Sequence, residues 1–298
     1  MAAIAQGFIA LGVGNMCGLE NAYSMLAGAI SMSGGHGGAT AYGSTFETMG
    51  YSAAQDAGIA AATFGLITSV LLGGPLARKL IVKYNLKSDE INNYVPAKIH
   101  DKQNVALSGD DICKNFAILL ATMALGSEVA TLISSAVGMS IPEYLGAMLV
   151  AIIVRNLNSK LHFFNYNKTM FDKIGDASLD IFLGIAMLSI QLWQLAGLVG
   201  GILVIVVVQV VLMALYAYFI AFRLLGKNYD AAMMVAGLCG HGLGATPTAV
   251  ANMESVRDEF GPSQNAFLIV PVVAAFLVEL VYQPVTILLV NFFVPAIV

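Results

Sequence analysis

The chain has 298 residues, of which 58% are hydrophobic and 11% charged, with a net charge of −4 and a mean hydropathy of +0.80. Soluble domains average about 25% charged residues. This composition therefore excludes a cytosolic globular enzyme, a disordered chain and a protein with a basic face for nucleic acid, and leaves a polytopic α-helical membrane protein.

A helix needs about 20 apolar residues to cross a hydrocarbon core about 30 Å thick. On that measure spans fall near 1–17, 55–77, 114–137, 140–156, 175–195, 198–222 and 264–294. Residues 1–17 lack the charged start and small-residue cleavage pattern of a signal peptide. The fifth and sixth spans come from one uncharged run, Ile181 to Phe222, which breaks near Gly197. The fourth is short and opened by Pro142. Cys17, Cys113 and Cys239 are far apart and odd in number, as expected of free thiols.

Two apolar stretches read differently. Asn21–Phe46 contains Ser33-Gly34-Gly35-His36-Gly37-Gly38, and Ala231–Met253 contains Cys239-Gly240-His241-Gly242-Leu243-Gly244-Ala245-Thr246-Pro247. Glycine at that density breaks a helix in its middle. Broken backbone survives at membrane depth only where protein or a water-filled cavity surrounds it. Both stretches are expected to be re-entrant hairpins, over 21–50 and 229–256; the alternative is a kinked full span.

The basic residues test this scheme. Of 14 Lys and Arg, seven lie from Arg78 to Lys114 and four from Arg155 to Lys173; Arg223 and Lys227 precede the second hairpin and Arg257 follows it. With the spans above, all 14 fall on one side, which the positive-inside rule makes cytoplasmic. The C-terminus then lies outside. Trp193, Tyr216, Tyr218 and Phe222 read as interfacial belts.

The two glycine-rich strings match each other. Gly35-His36-Gly37-Gly38-Ala39-Thr40 resembles Gly240-His241-Gly242-Leu243-Gly244-Ala245-Thr246 with one insertion. Each hairpin is followed by one span, and five crossings separate them, so the copies have opposite orientation. The expected organisation is a partial first repeat over 1–82, a cytoplasmic linker over 83–110 and a complete second repeat over 111–298. Spans that precede the second hairpin have no counterpart before the first. The first repeat is thus incomplete, and the chain reads as an N-terminally shortened ten-span transporter that alone folds or transports poorly. Its fold class is an all-α polytopic membrane protein of inverted five-span repeats, each with a re-entrant hairpin.

Several ordered motifs carry a family resemblance: Leu26-Ala27-Gly28, Ser33-Gly34-Gly35-His36-Gly37, Gly226-Lys227-Asn228-Tyr229-Asp230-Ala231-Ala232, Gly244-Ala245-Thr246-Pro247-Thr248-Ala249, Ala251-Asn252-Met253 and Phe260-Gly261-Pro262-Ser263. With these the chain resembles the bacterial sodium/glutamate symporter family over essentially its whole length. The resemblance implies an inner-membrane importer of glutamate, coupled to sodium ions. It also implies a homodimer in membrane lipid, a scaffold part, a transport part carrying both hairpins, and an elevator-type motion.

Half-helix ends at mid-membrane suit that chemistry. Unpaired N–H groups favour a carboxylate, and freed carbonyls suit Na⁺. The expected substrate contacts are Ser33, Gly34, Gly35, His36, Gly37 and Thr40 in the first hairpin, and Gly242, Gly244, Ala245, Thr246 and Pro247 in the second. Thr248, Asn252 and Glu279 are the expected sodium ligands. Glu279 has 19 uncharged residues on either side, and intramembrane carboxylates are functional suspects; a protonated Glu packed between helices is the alternative. Polar side chains in the hairpins also suit helix-packing hydrogen bonds. His36 is preferred to His241 as a substrate hydrogen bonder. Two histidines without carboxylate or cysteine neighbours make no metal site. No cofactor is expected beyond Na⁺ as coupling ion, nor any enzyme: there is no nucleophile–base pair, and Gly35–Gly38 lacks the Gly-Lys-Ser/Thr ending of a phosphate loop. A two-half-helix channel is the remaining alternative, but neither hairpin has the Asn-Pro-Ala tip of such pores.

Overall fold

A computed structural model describes residues 2–88, 109–137, 143–161 and 197–295, with scattered residues between 164 and 185. Among these there is no strand. Helix α1 covers Ala2–Met16. Helix α2, Asn21–Met25, runs through a π-turn at Leu26–Ile30 into α3, Ser31–Thr48. Then come α4 (Ala54–Tyr84), α5 (Gly109–Val137) and α6 (Glu143–Leu161). Helix α7, Val199–Leu215, continues through a π-turn at Tyr216–Ala221 to Leu224. Helices α8 (Tyr229–Leu243) and α9 (Thr246–Phe260) follow. The last pair is α10, Gln264–Val272, and α11, Glu279–Phe293, joined by a π-turn at Val273–Val278.

Among the described residues, Ala54–Tyr84, Ile112–Ala136 and Val199–Leu224 are long and apolar enough to cross a membrane, while Ala2–Met16 and Val281–Phe293 are shorter apolar helices. The expected fourth span is largely helical within Glu143–Leu161. The expected span at 175–195, with Trp193, and most of the linker 83–110 lie outside the described residues.

The chain divides into two compact units, Met1–Val95 with Gln191–Val298, and Pro96–Ile190. In the smaller unit α5 and α6 pack closely, because small residues face each other. A methyl group on Gly146 would lie 2.9 Å from the Ala130 methyl, and one on Gly126 would collide with Ala147. Such small-residue seams let helices approach where lipid supplies no hydrophobic drive.

In the larger unit α4 is the seat for both glycine-rich segments. Its small residues recur on one face: Ala54, Ala57, Gly58, Ala61, Ala62, Gly65, Ser69, Gly73 and Ala77 are buried. A methyl on Gly58 would meet the Ala39 carbonyl at 3.1 Å. On Gly65 it would meet the Leu243 carbonyl and the Met32 methyl, and on Gly73 the Asn252 amide. One helix face thus holds α3 at one end and the α8–α9 pair at the other.

Each glycine-rich segment folds back on itself. In the first, a methyl on Gly38 would reach the Ile30 carbonyl at 3.1 Å, and the Tyr23 hydroxyl donates to the Ser52 carbonyl at 2.8 Å. In the second, Gly240 lies against Ala249 and Gly237 against Met253. The Tyr229 hydroxyl donates to the Gly261 carbonyl at 2.6 Å, tying the two far ends together. Asn228 caps α8 by accepting the Ala231 N–H at 2.8 Å.

Candidate functional site

The turn of each segment is made by a glycine with non-helical torsions. Gly35 has φ 57° and ψ −154°, so Ser31–Thr48 is two helical pieces meeting there. Only glycine occupies that region without strain. Gly244, with φ −145° and ψ −97°, ends α8. A methyl there would lie 2.8 Å from the Thr248 hydroxyl and 3.0 Å from both the Gly240 carbonyl and the Ser69 hydroxyl.

The two turns meet. A methyl on Gly35 would lie 3.0 Å from the Gly244 carbonyl oxygen and 3.8 Å from the Ala245 methyl. Four helix ends therefore converge: α8 and the first piece of α3 end here, while α9 and the second piece of α3 begin. Partial positive charge from the beginnings and partial negative charge from the ends face the same small region.

Helix α1 ties the turns together through one side chain. The Gln6 amide donates to the Gly242 carbonyl at 2.7 Å, and its carbonyl oxygen accepts from the Ser33 hydroxyl at 3.1 Å. Gln6 is fully buried. Its backbone carbonyl accepts from the Gln209 amide at 2.9 Å. Beside this bridge is a cavity of about 320 Å³. Polar groups in its wall are Gln6, Ser33, His241, Tyr216, Tyr282 and Thr286; most of the rest is aliphatic. The Tyr282 hydroxyl donates to the Ala29 carbonyl at 2.6 Å.

The expected site residues fall into groups. Ser33, His241 and Gly242 line the cavity. Gly35, Gly244 and Ala245 form the contact between turns, and Gly34 is within reach of Tyr282. His36 instead faces α4, 3.1 Å from the Thr63 hydroxyl. The order of the two histidines differs from the sequence preference: His241 stands at the cavity wall. Its Nδ1 is 3.5 Å from the Thr246 hydroxyl, and its buried Nε2 has no hydrogen-bond partner among the described residues. Thr40 likewise keeps a buried, unpartnered hydroxyl among them. A methyl on Gly37 would meet nothing within 4 Å. Pro247 lies in the first turn of α9, where its missing N–H costs nothing.

The three expected sodium ligands differ in setting. The Thr248 hydroxyl accepts the Ala245 N–H at 3.0 Å and lies within donating distance of the Gly240 and Ala245 carbonyls, at 2.9 and 2.7 Å. It caps α9 from its first turn and sits among carbonyl oxygens. The Asn252 amide donates to the Ser69 carbonyl at 3.0 Å and the Ala236 carbonyl at 3.3 Å. Glu279 opens α11; its side chain lies outside the described residues.

Gln6, Gln209 and Tyr282 were missed by sequence reasoning. The signal was present for the glutamines: Gln209 is the one polar side chain in Val199–Leu215, and Gln6 the one in Ala2–Gly14. An uncharged amide in an apolar run also needs a hydrogen-bond partner, though it costs less to bury than a carboxylate.

These features define a helical membrane protein built around two broken segments whose turns meet. A family profile described as sodium/glutamate symporter matches residues 1–262. A sodium/glutamate symporter of Haemophilus influenzae is 36% identical over 281 residues, covering 93% of this chain and 69% of that protein. One from Escherichia coli is 38% identical over 283 residues, covering 93% and 70%; one from Shigella flexneri is equally similar. No solved structure matches. The chain belongs to the sodium/glutamate symporter family, a family of transporters and not of enzymes, as its motifs indicated.

Proposed function

We propose that this protein imports glutamate across the bacterial inner membrane, driven by sodium, with the substrate bound where the two turns meet. The observation that carries the proposal is the Gly35–Gly244 contact beside a cavity of about 320 Å³. That volume is at the lower end of the about 300–1,000 Å³ typical of small-ligand pockets. It suits a compact amino acid.

Charge explains the coupling. Glutamate carries one net negative charge, yet no Lys or Arg is among the described residues of the cavity wall. Its carboxylates must therefore be met by helix beginnings at His36 and Thr246, by hydroxyl and amide donors such as Ser33 and Gln6, and by a co-bound cation. Carbonyls at the ends of α8 and the first piece of α3, with the Thr248 hydroxyl, offer hard oxygens to Na⁺. Asn252 and, on its sequence position, Glu279 complete the proposed cation set. A bound Na⁺ makes the anion's entry favourable and the reverse holds too, as linkage requires.

In this reading both broken segments are re-entrant hairpins of an inverted repeat, entering from opposite faces, with the C-terminus outside. The larger unit, which contains both segments, is the transport part of an elevator. The unit Pro96–Ile190 is the scaffold, through which two copies form a homodimer. The test is uptake of labelled glutamate into proteoliposomes. An inward sodium gradient should drive accumulation, and equal potassium should not. Uptake indifferent to sodium would sink the coupling claim.

A further inference from the structure

Two apolar helices end side by side on the basic side of the chain. Lys79 and Lys83 lie one turn apart on α4. The π-turn Tyr216–Ala221 carries Tyr218 and Phe219, and Arg223 follows in the next turn. Lys83 donates to the Tyr218 hydroxyl at 2.7 Å. The Lys79 and Lys83 ammonium groups lie 5.9 and 5.4 Å from the centre of the Tyr218 ring. Lys83 is also 5.6 Å from the Tyr84 ring, and the Arg223 guanidinium is 5.9 Å from Phe219. The Tyr84 and Phe222 rings pack at 5.3 Å and join the two helix ends.

The rings hold the cations in place but leave their charge in full. Described acidic groups on the neighbouring helices are engaged elsewhere: Glu259 pairs with Arg78, Glu254 and Asp258 with Arg257, and Asp230 with Ser263 and Asn265. Among the described residues, no carboxylate forms an ion pair with Lys79, Lys83 or Arg223. Like charges one turn apart repel; an anion between them removes that cost.

The surface leading to the cluster is apolar. Val204, Val207, Val211, Leu215 and Phe219 are all about half exposed and follow each other at helical spacing on α7 and its π-turn. From first to last they cover about 22 Å, more than the about 15 Å of one leaflet's hydrocarbon. A ligand for this place has an anionic head and long aliphatic tails.

We propose that Lys79, Lys83 and Arg223, arrayed on Tyr218 and Phe219, bind the phosphate headgroup of an anionic glycerophospholipid whose tails lie along Val204–Leu215. The lysine stems snorkel along the helix ends to reach the phosphate, and guanidinium suits two of its oxygens at once. The site requires only that α4 and α7 lie in a bilayer, so it stands or fails apart from glutamate transport.

The experiment measures lipid retained by the delipidated full chain after titration with phosphatidylglycerol or phosphatidylcholine, read by native mass spectrometry. Wild type should retain phosphatidylglycerol in preference. The triple exchange Lys79→Gln, Lys83→Gln and Arg223→Gln should weaken that binding about ten-fold or more, and Lys83→Gln alone should weaken it less. The control Arg257→Gln, whose partners are Glu254 and Asp258, should change nothing. Tyr218→Leu keeps every charge and should cost about two- to five-fold. Equal retention of both lipids by wild type overturns the proposal, as does a triple variant that retains phosphatidylglycerol normally. Displacement of the lipid by inorganic phosphate alone also overturns it, and leaves a free-anion site in its place.

Discussion

Gln6 is the side chain whose removal the structure weighs most sharply. Its carboxamide reaches both turns, with Gly242 at 2.7 Å and Ser33 at 3.1 Å, from a position with no solvent exposure. Gln6→Leu keeps the volume approximately and deletes both bonds. Interhelical hydrogen bonds in membrane proteins average about 0.6 kcal/mol and reach about 1.7. A buried partner left unsatisfied costs about 1–3 kcal/mol. Two such losses at one junction predict about 1–3 kcal/mol, which is about a 5- to 150-fold shift in the population with both turns in register. Gln6→Glu is the informative comparison. It retains an acceptor for Ser33 and, when ionised, loses the donor to Gly242. Sodium-driven glutamate uptake should fall in both, with the apparent affinity for sodium weakened more than the expression level or the unfolding temperature in detergent. Wild-type uptake by Gln6→Leu at every sodium concentration would refute the bridge as a positioning element.

Other expectations follow from single contacts. Gly35→Ala places a methyl 3.0 Å from the Gly244 carbonyl at φ 57°; strain of about 1–3 kcal/mol should lower uptake about ten-fold, measured at saturating sodium. Thr248→Val removes the hydroxyl that accepts the Ala245 N–H and should cost about 1–2 kcal/mol of stability, while Thr248→Ser should restore both stability and sodium affinity. His241→Ala should raise the KM for glutamate about five- to ten-fold, whereas His36→Gln, which can still meet Thr63, should leave it nearly unchanged.

Much of the fold was legible because bilayer thickness imposes a length and the chain obeys it. The apolar runs at 55–77 and 198–222 coincide with the helices Ala54–Tyr84 and Val199–Leu224, the first of which runs on through Arg78, Lys79 and Lys83, and glycine density located both breaks to within a few residues. The site was less legible, because glycine serves two purposes that sequence does not separate. In the second segment Gly237 and Gly240 are there for packing, against Met253 and Ala249. Gly244 is the one that turns the chain. In the first segment Gly35 turns the chain and Gly38 packs against Ile30.

That distinction alters the meaning of the matching strings. Aligned by letters, Gly35 stands opposite Gly240 and His36 opposite His241. Aligned by the breaks, Gly35 stands opposite Gly244, one helical turn later. His36 consequently begins a helix and faces Thr63, while His241 lies in the last turn of a helix and faces the cavity. Identical residues in similar strings thus occupy opposite ends of the local dipole: the beginning of a helix favours an anion, and its end favours a cation. Two such turns present both polarities at once, which is what the proposed binding of an amino acid together with its coupling ion calls for.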